Sequence, residues 1–122
     1  MTASVGETEM QGPGYYLVLL RPSEPYHRPA RLLDDHVAFV EAMIAADVVL
    51  LGGDFGVPVD GAETAYLLRT ASRSEAEGWA ARDPFVQGAA YEPTVLHWDL
   101  VGINLGAVDP ALTTETGEGS RA

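Results

Sequence analysis

Between Ser72 and Pro84 the chain marks out a helix at both ends, and this stretch limits what the rest can become. Ser72 and Ser74 each stand three residues before a glutamate, Glu75 and Glu77. At that spacing a hydroxyl and a carboxylate satisfy orphaned N–H groups of a helix start. At the other end Asp83 precedes Pro84. The residue before a proline is pushed out of helical geometry toward extended backbone. Asp83 is therefore expected where the helix stops, with its carboxylate set by a fixed backbone. Trp79, one turn earlier, and Phe85, just after, would anchor this corner in a core. Val86 to Ala90 read as one further turn. An acid placed in this way is either a structural cap or half of a catalytic pair.

The segments on either side supply the remaining elements. Tyr15 to Leu20 is a β-rich run of strand length, closed by Arg21-Pro22 because proline cannot continue a central ladder. A loop with three prolines follows, and then a helix from Leu32 or Asp34 to about Ala46. Its expected core stripe is Leu33, Val37, Val40 and Ile44, with Leu32, His36, Phe39 and Met43 beside it. Asp34 and Asp35 suit the positive end of the helix, which places His36 in the first turn at the edge of the apolar face. Asp47 to Leu51 is a second strand, leading into Gly52-Gly53-Asp54. Adjacent glycines after a strand indicate a bulge or a close approach of the backbone to something else. Pro58 to Glu63 is a turn-rich connection, and Ala65 to Ala71 a third strand. Thr94 to Ile103 reads as the fourth, with Leu96, Trp98 and Leu100 on one face and Val95, His97, Asp99, Val101 and Ile103 on the other. Residues 1–14 read as a disordered arm and those from Leu105 onward as an acidic disordered tail.

This order, strand–helix–strand–strand–helix–strand, is the split βαβ pattern of an α+β ferredoxin-like sandwich, a single domain over residues 15–104. Both helices then cover one face of an antiparallel sheet. The other face, apolar through Val95, Val101 and Ile103, needs a cover, and a second copy is the simplest one. A homodimer joined through sheet faces is the expectation.

Composition removes several kinds of chemistry. The chain of 122 residues carries 18 acidic side chains against 7 basic ones, a formal charge of −11, and every base is arginine. A chain this acidic repels phosphate backbones, so nucleic acid is not expected as a partner. Without lysine there is no Schiff-base catalysis, and without cysteine no thiolate, disulfide or cysteine–metal site. The longest apolar runs, Tyr15 to Leu20 and Val48 to Leu51, fall far short of the ~20 residues of a membrane span. The polar, acidic N-terminus does not resemble a signal peptide, and a cytoplasmic location is expected.

Three segments resemble the YciI-like (YCII) domain family. Arg31 to Val40 is similar to its helix of arginine followed by "HLxYL". Leu50 to Asp54 is similar to its strand end "LLxAGP". Ser74 to Val86 is similar to its helix ending in "DPF" or "DPYV". The chain departs from the pattern at Gly52, where alanine is usual, and at Asp54, where proline is common. The resemblance implies a dimeric α+β barrel with His36 and Asp83 as an active-site pair. Relatives act as dehydrochlorinases of chlorinated hydroquinones, and the fold is shared with muconolactone isomerases.

A histidine with a carboxylate partner makes a general acid–base unit. The carboxylate fixes the imidazole tautomer and favours its protonated form. That unit suffices for elimination, dehydration or a proton shift, and the expected activity is a lyase or isomerase acting on an aromatic, enolic or lactone metabolite. Two other readings stand beside it: a non-catalytic ligand-binding or accessory protein, and a cofactor-free monooxygenase. The expected substrate contacts are Arg31, Phe39, Gly52, Gly53, Asp54, Tyr15 and His97. Arg31 would bind a carboxylate or phenolate, or stand as a solvated charge. His97 with Asp99 would line the cavity or meet across the dimer interface. His27, His36 and His97 lack metal-ligand spacing, so neither metal nor cofactor is expected. Substituting His36 by Ala is expected to remove turnover and leave folding intact.

Overall fold

The computed structural model describes residues 14–23 and 30–112. Four strands, β1 (Gly14–Pro22), β2 (Val49–Val59), β3 (Ala62–Thr70) and β4 (Tyr91–Trp98), form one sheet in the order β2-β3-β1-β4. Every neighbouring pair is antiparallel. Helix α1 (Ala30–Ala45) lies between β1 and β2; α2 (Arg73–Ala81) and the single turn α3 (Pro84–Gln87) lie between β3 and β4. This is the ferredoxin-like α+β arrangement that the order of elements implies.

The period-2 alternation of β1 and β3 sets the layers. Tyr16, Val18 and Leu20 lie opposite Leu68, Tyr66 and Thr64, all buried. They pack with Met43 of α1, Ala76 and Ala80 of α2, and Phe85 of α3. Both helices therefore cover one face of the sheet. The opposite face carries Tyr15, Leu17 and Leu19, in register with Arg69, Leu67 and Ala65 on one side and with Trp98, Leu96 and Thr94 on the other.

That register corrects the expected faces of β4. Val95 and His97 pair with Val18 and Tyr16, so they lie on the helix side, and the open side is the one bearing Leu96 and Trp98. The strand also ends at Trp98 rather than Ile103, and Val101 and Ile103 beyond it are exposed. Among the described residues nothing pairs with this segment.

Helix α1 starts at Ala30, earlier than its polar residues suggest. Asp34 and Asp35 are thereby moved out of the first turn, and His36 into the second. The buried positions of α1 are His36 and Met43, while Val37 of the expected stripe is exposed. Strand β2 runs on through Gly52 to Val59, and residues 58–63 hold a tight hairpin instead of a long connection. Asp60 (φ 53°) and Gly61 (φ 85°) both lie in the left-handed region, the requirement of a two-residue turn matched to sheet twist. β2 has a register shift between Val49 and Leu51, and Gly52 then passes so close to β3 that a Cβ there would stand 3.0 Å from that of Tyr66.

Of the two possible caps of α2, Ser72 is used. Its Oγ accepts from Glu75 N at 3.1 Å, while Glu75 Oε1 accepts from Ala71 N at 2.8 Å. The expected tail from Leu105 begins with two short 3-10 turns, Leu105–Ala107 and Pro110–Leu112. Its remainder, and residues 1–13 of the expected N-terminal arm, lie outside the described residues; Gly14 opens β1.

Candidate active site

Asp83 ends one helix and begins the next. Its N–H bonds to Ala80 O, its own carbonyl accepts from Val86 and Gln87, and its backbone is extended (φ −60°, ψ 127°) with Pro84 at the first position of α3. The side chain caps α3, since Oδ1 accepts from Phe85 N at 2.9 Å. Proline suits that first position because its missing N–H would have had no intrahelical partner. The carboxylate is thus aimed by covalent geometry at both ends, and it is fully buried.

It is aimed at α1. His36 Nδ1 lies 2.9 Å from Oδ1 and 3.0 Å from Oδ2, and Tyr66 of β3 donates its hydroxyl to Oδ2 at 2.9 Å. An ionised carboxylate only accepts, and here it meets three donors: an imidazole N–H, a phenol and a backbone amide. Burial of a charge is tolerated when it is paired and fully hydrogen-bonded in this way. Burial raises the Tyr66 phenol above its ordinary value, and the charge of Asp83 and the hydrogen bond to it add to the effect. The ring of Phe85 stacks on the imidazole at 4.1 Å and 11°, and Tyr91 stacks on Phe85 in turn. Gly88, at the end of α3, abuts Leu32 of α1 so closely that a Cβ would stand 2.8 Å from Leu32 Cδ1. That contact lets the two helices approach within reach of the His36–Asp83 bond.

His36 also lines a cavity of about 220 Å³ between α1 and the β2–β3 hairpin. Nδ1 is engaged by Asp83, and among the described residues no buried side-chain nitrogen or oxygen lacks a partner. Among the described residues Nε2 has no partner, and it lies on the side of the ring away from Asp83. With Nδ1–H donating to a carboxylate, neutral imidazole carries its lone pair on Nε2. The arrangement is that of a base facing a small, largely apolar space, with a carboxylate behind it.

Of the residues expected at the site, His36, Gly52, Gly53 and Asp54 line the cavity, and Asp83 stands directly behind it. Arg31, Phe39, Tyr15 and His97 do not. Arg31 is exposed in the first turn of α1, and Phe39 packs against the core. Tyr15 is on the open sheet face opposite Trp98. His97 leans on the Tyr16 ring at 5.1 Å, beside Arg73, away from the cavity. Three polar lining residues were not anticipated: Tyr66, Thr64 and Glu41. Tyr66 and Thr64 share the helix-side face of β3, and a buried tyrosine hydroxyl needs a partner, which was the available signal for Tyr66. Among the described residues no group of three or more His, Asp or Glu side chains is arranged to hold a metal ion.

The YCII-related domain matches residues 15–99, which contain every residue of this site. The chain belongs to that family. No curated protein sequence matches this YCII-related domain significantly. Among solved structures it is similar to the 5-chloro-2-hydroxyhydroquinone dehydrochlorinase TftG from Burkholderia phenoliruptrix AC1100, in complex with 2,5-dihydroxybenzoquinone. The two share 20% identity with a TM-score of 0.50, over 70% of this chain and 93% of the other. At that identity the likeness is one of fold.

Proposed function

We propose that this YCII-related domain is a small-molecule lyase in which His36 is the general base and acid. The observation that carries this reading is the placement of His36: Nδ1 is held by a buried carboxylate, and the same residue lines a ring-sized cavity. In the proposed reaction Nε2 takes a proton from a hydroxylated, enolisable ring. The electron pair left behind forms a carbon–oxygen or carbon–carbon double bond, and a leaving group departs from the adjacent carbon with its bonding pair. The imidazolium then returns its proton to the leaving group or to water. Asp83 holds the ring, and Tyr66 holds Asp83. No group outside the chain is needed to balance the step. The dehydrochlorinase of similar fold makes chloride a reasonable first leaving group to assay.

The domain is further proposed to act as a homodimer, joined through the open sheet face. That face is lined by Leu17, Leu67, Leu96 and Trp98, of which Leu96 and Trp98 remain substantially exposed in one copy.

The structure changes the appropriate test of His36. Because the ring is buried and bonded, His36→Ala opens a hole beside a buried charge, at a cost to stability of several kcal/mol. His36→Gln retains a donor toward Asp83 and has no titratable nitrogen. Chloride release from 5-chloro-2-hydroxyhydroquinone, followed with an ion-selective electrode, is expected to fall by about 10²–10⁴-fold in His36→Gln. A rate equal to that of the unmodified protein would remove His36 from the chemistry.

A further inference from the structure

We propose that the cavity selects an uncharged ring whose hydroxyls donate hydrogen bonds, and that Glu41 and Asp54 are the residues that turn anions away. The proposal rests on the reading of this cavity as the substrate site. A dry cavity of about 150 Å³ is enough for benzene. The 220 Å³ here accommodates one ring with a few substituents, and Leu33, Val37 and Val40 supply apolar wall for its faces.

The polar side chains on the wall all present acceptors. Thr64 Oγ1 has given its proton to Gly53 O at 2.9 Å, and Tyr66 has given its own to Asp83. His36 Nε2 offers a lone pair while Nδ1–H is held. Glu41 of α1 and Asp54 of β2 add two carboxylates on opposite sides, both exposed to solvent. A ligand that donates finds side-chain partners here, and with Nε2 unprotonated no lining side chain has a hydrogen left to give to one that only accepts.

Among the described residues no cation lines the cavity. Arg21 is bound to the Asp60 carbonyl and carboxylate. Arg73 bonds Val95 O, and Arg82 lies over the Trp79 ring. Arg31 and Arg69 are not on its wall, and the chain has no lysine. A carboxylate-bearing ligand would meet two like charges and, among the described residues, no arginine, and like-charge juxtaposition across a binding surface costs several kcal/mol.

Three probes separate the parts of this inference in calorimetric titrations at pH 7: hydroquinone, 2,5-dihydroxybenzoate, and 1,4-dimethoxybenzene. They share a ring and differ in charge and in donors. Hydroquinone is expected to bind, and each of the others to bind at least about tenfold more weakly. In the double variant Glu41→Gln/Asp54→Asn the gap between hydroquinone and dihydroxybenzoate is expected to narrow to within about threefold. Both side chains are exposed, and circular dichroism checks that the variant keeps its fold. Equal or tighter binding of dihydroxybenzoate to the unmodified protein overturns the proposal, as does a gap unchanged in the double variant, or failure of every ring to bind. Binding with this selectivity but no His36-dependent turnover supports the selection and removes the lyase reading. His36-dependent turnover of an anionic ring does the reverse.

Discussion

Asp83 draws its three hydrogen-bond donors from three elements, and that makes single substitutions around it informative. Asp83→Asn keeps a good helix cap. Its amide can, however, donate to Nδ1 and so move the imidazole proton to Nε2. Turnover is expected to fall by about 10²–10⁴-fold while far-UV circular dichroism is retained; unchanged turnover would show that the tautomer does not matter. Tyr66→Phe removes one charge-assisted hydrogen bond and is expected to cost about 2 kcal/mol in urea unfolding. It should also change the alkaline limb of stability. The Tyr66 phenol is raised in the folded chain from its ordinary 10.0. Below that pH folded and unfolded chains both keep the proton. Above it only the unfolded chain loses it, so this residue makes stability fall as pH rises beyond about 10. Tyr66→Phe is expected to flatten that limb; an unaltered slope would assign it to other groups. Asp83 was readable from the sequence because a proline follows it. Tyr66 carried only the weaker signal of a hydroxyl in an apolar strand, and its partner stands 17 residues away.

At the scale of elements, two capping boxes compete at the start of α2, and only one is formed. Ser72→Ala is expected to cost about 1 kcal/mol and Ser74→Ala a few tenths at most, as read from thermal melts. Reversed magnitudes would place the helix start two residues later. Gly52 is the second sensitive point. A methyl there meets Tyr66 Cβ at 3.0 Å, with backbone behind it at Ala65 O, so the strands must separate. Gly52→Ala is expected to cost about 1–3 kcal/mol and to lower turnover through displacement of Tyr66; Gly53→Ala, with open space around it, is expected to cost much less. The length of β2 was hidden by Gly52, Gly53, Gly56 and Pro58, all poor strand formers. An edge strand tolerates them, because only one of its sides must complete a ladder. The buried face of α1 was hidden for a related reason. Periodicity favours the row with more aliphatic residues, whereas the core takes His36 once Asp83 supplies a partner.

For the whole molecule, the order of elements was sufficient to give the four-stranded sheet, but which face stays open depended on the register of β4 with β1. That register puts Leu96 and Trp98, rather than His97 and Val101, on the proposed dimer face. The unmodified chain is expected to scatter light as a dimer at micromolar concentration and Leu96→Asp as a monomer, with unchanged circular dichroism. A monomeric unmodified chain would remove the face-to-face reading. One further consequence follows from the 47 residues that separate His36 from Asp83. The pair is a long-range contact, closed only when α3 seats on α1 through Gly88. Recovery of turnover should therefore lag the helical signal, and its delay would time the docking of a single helical turn.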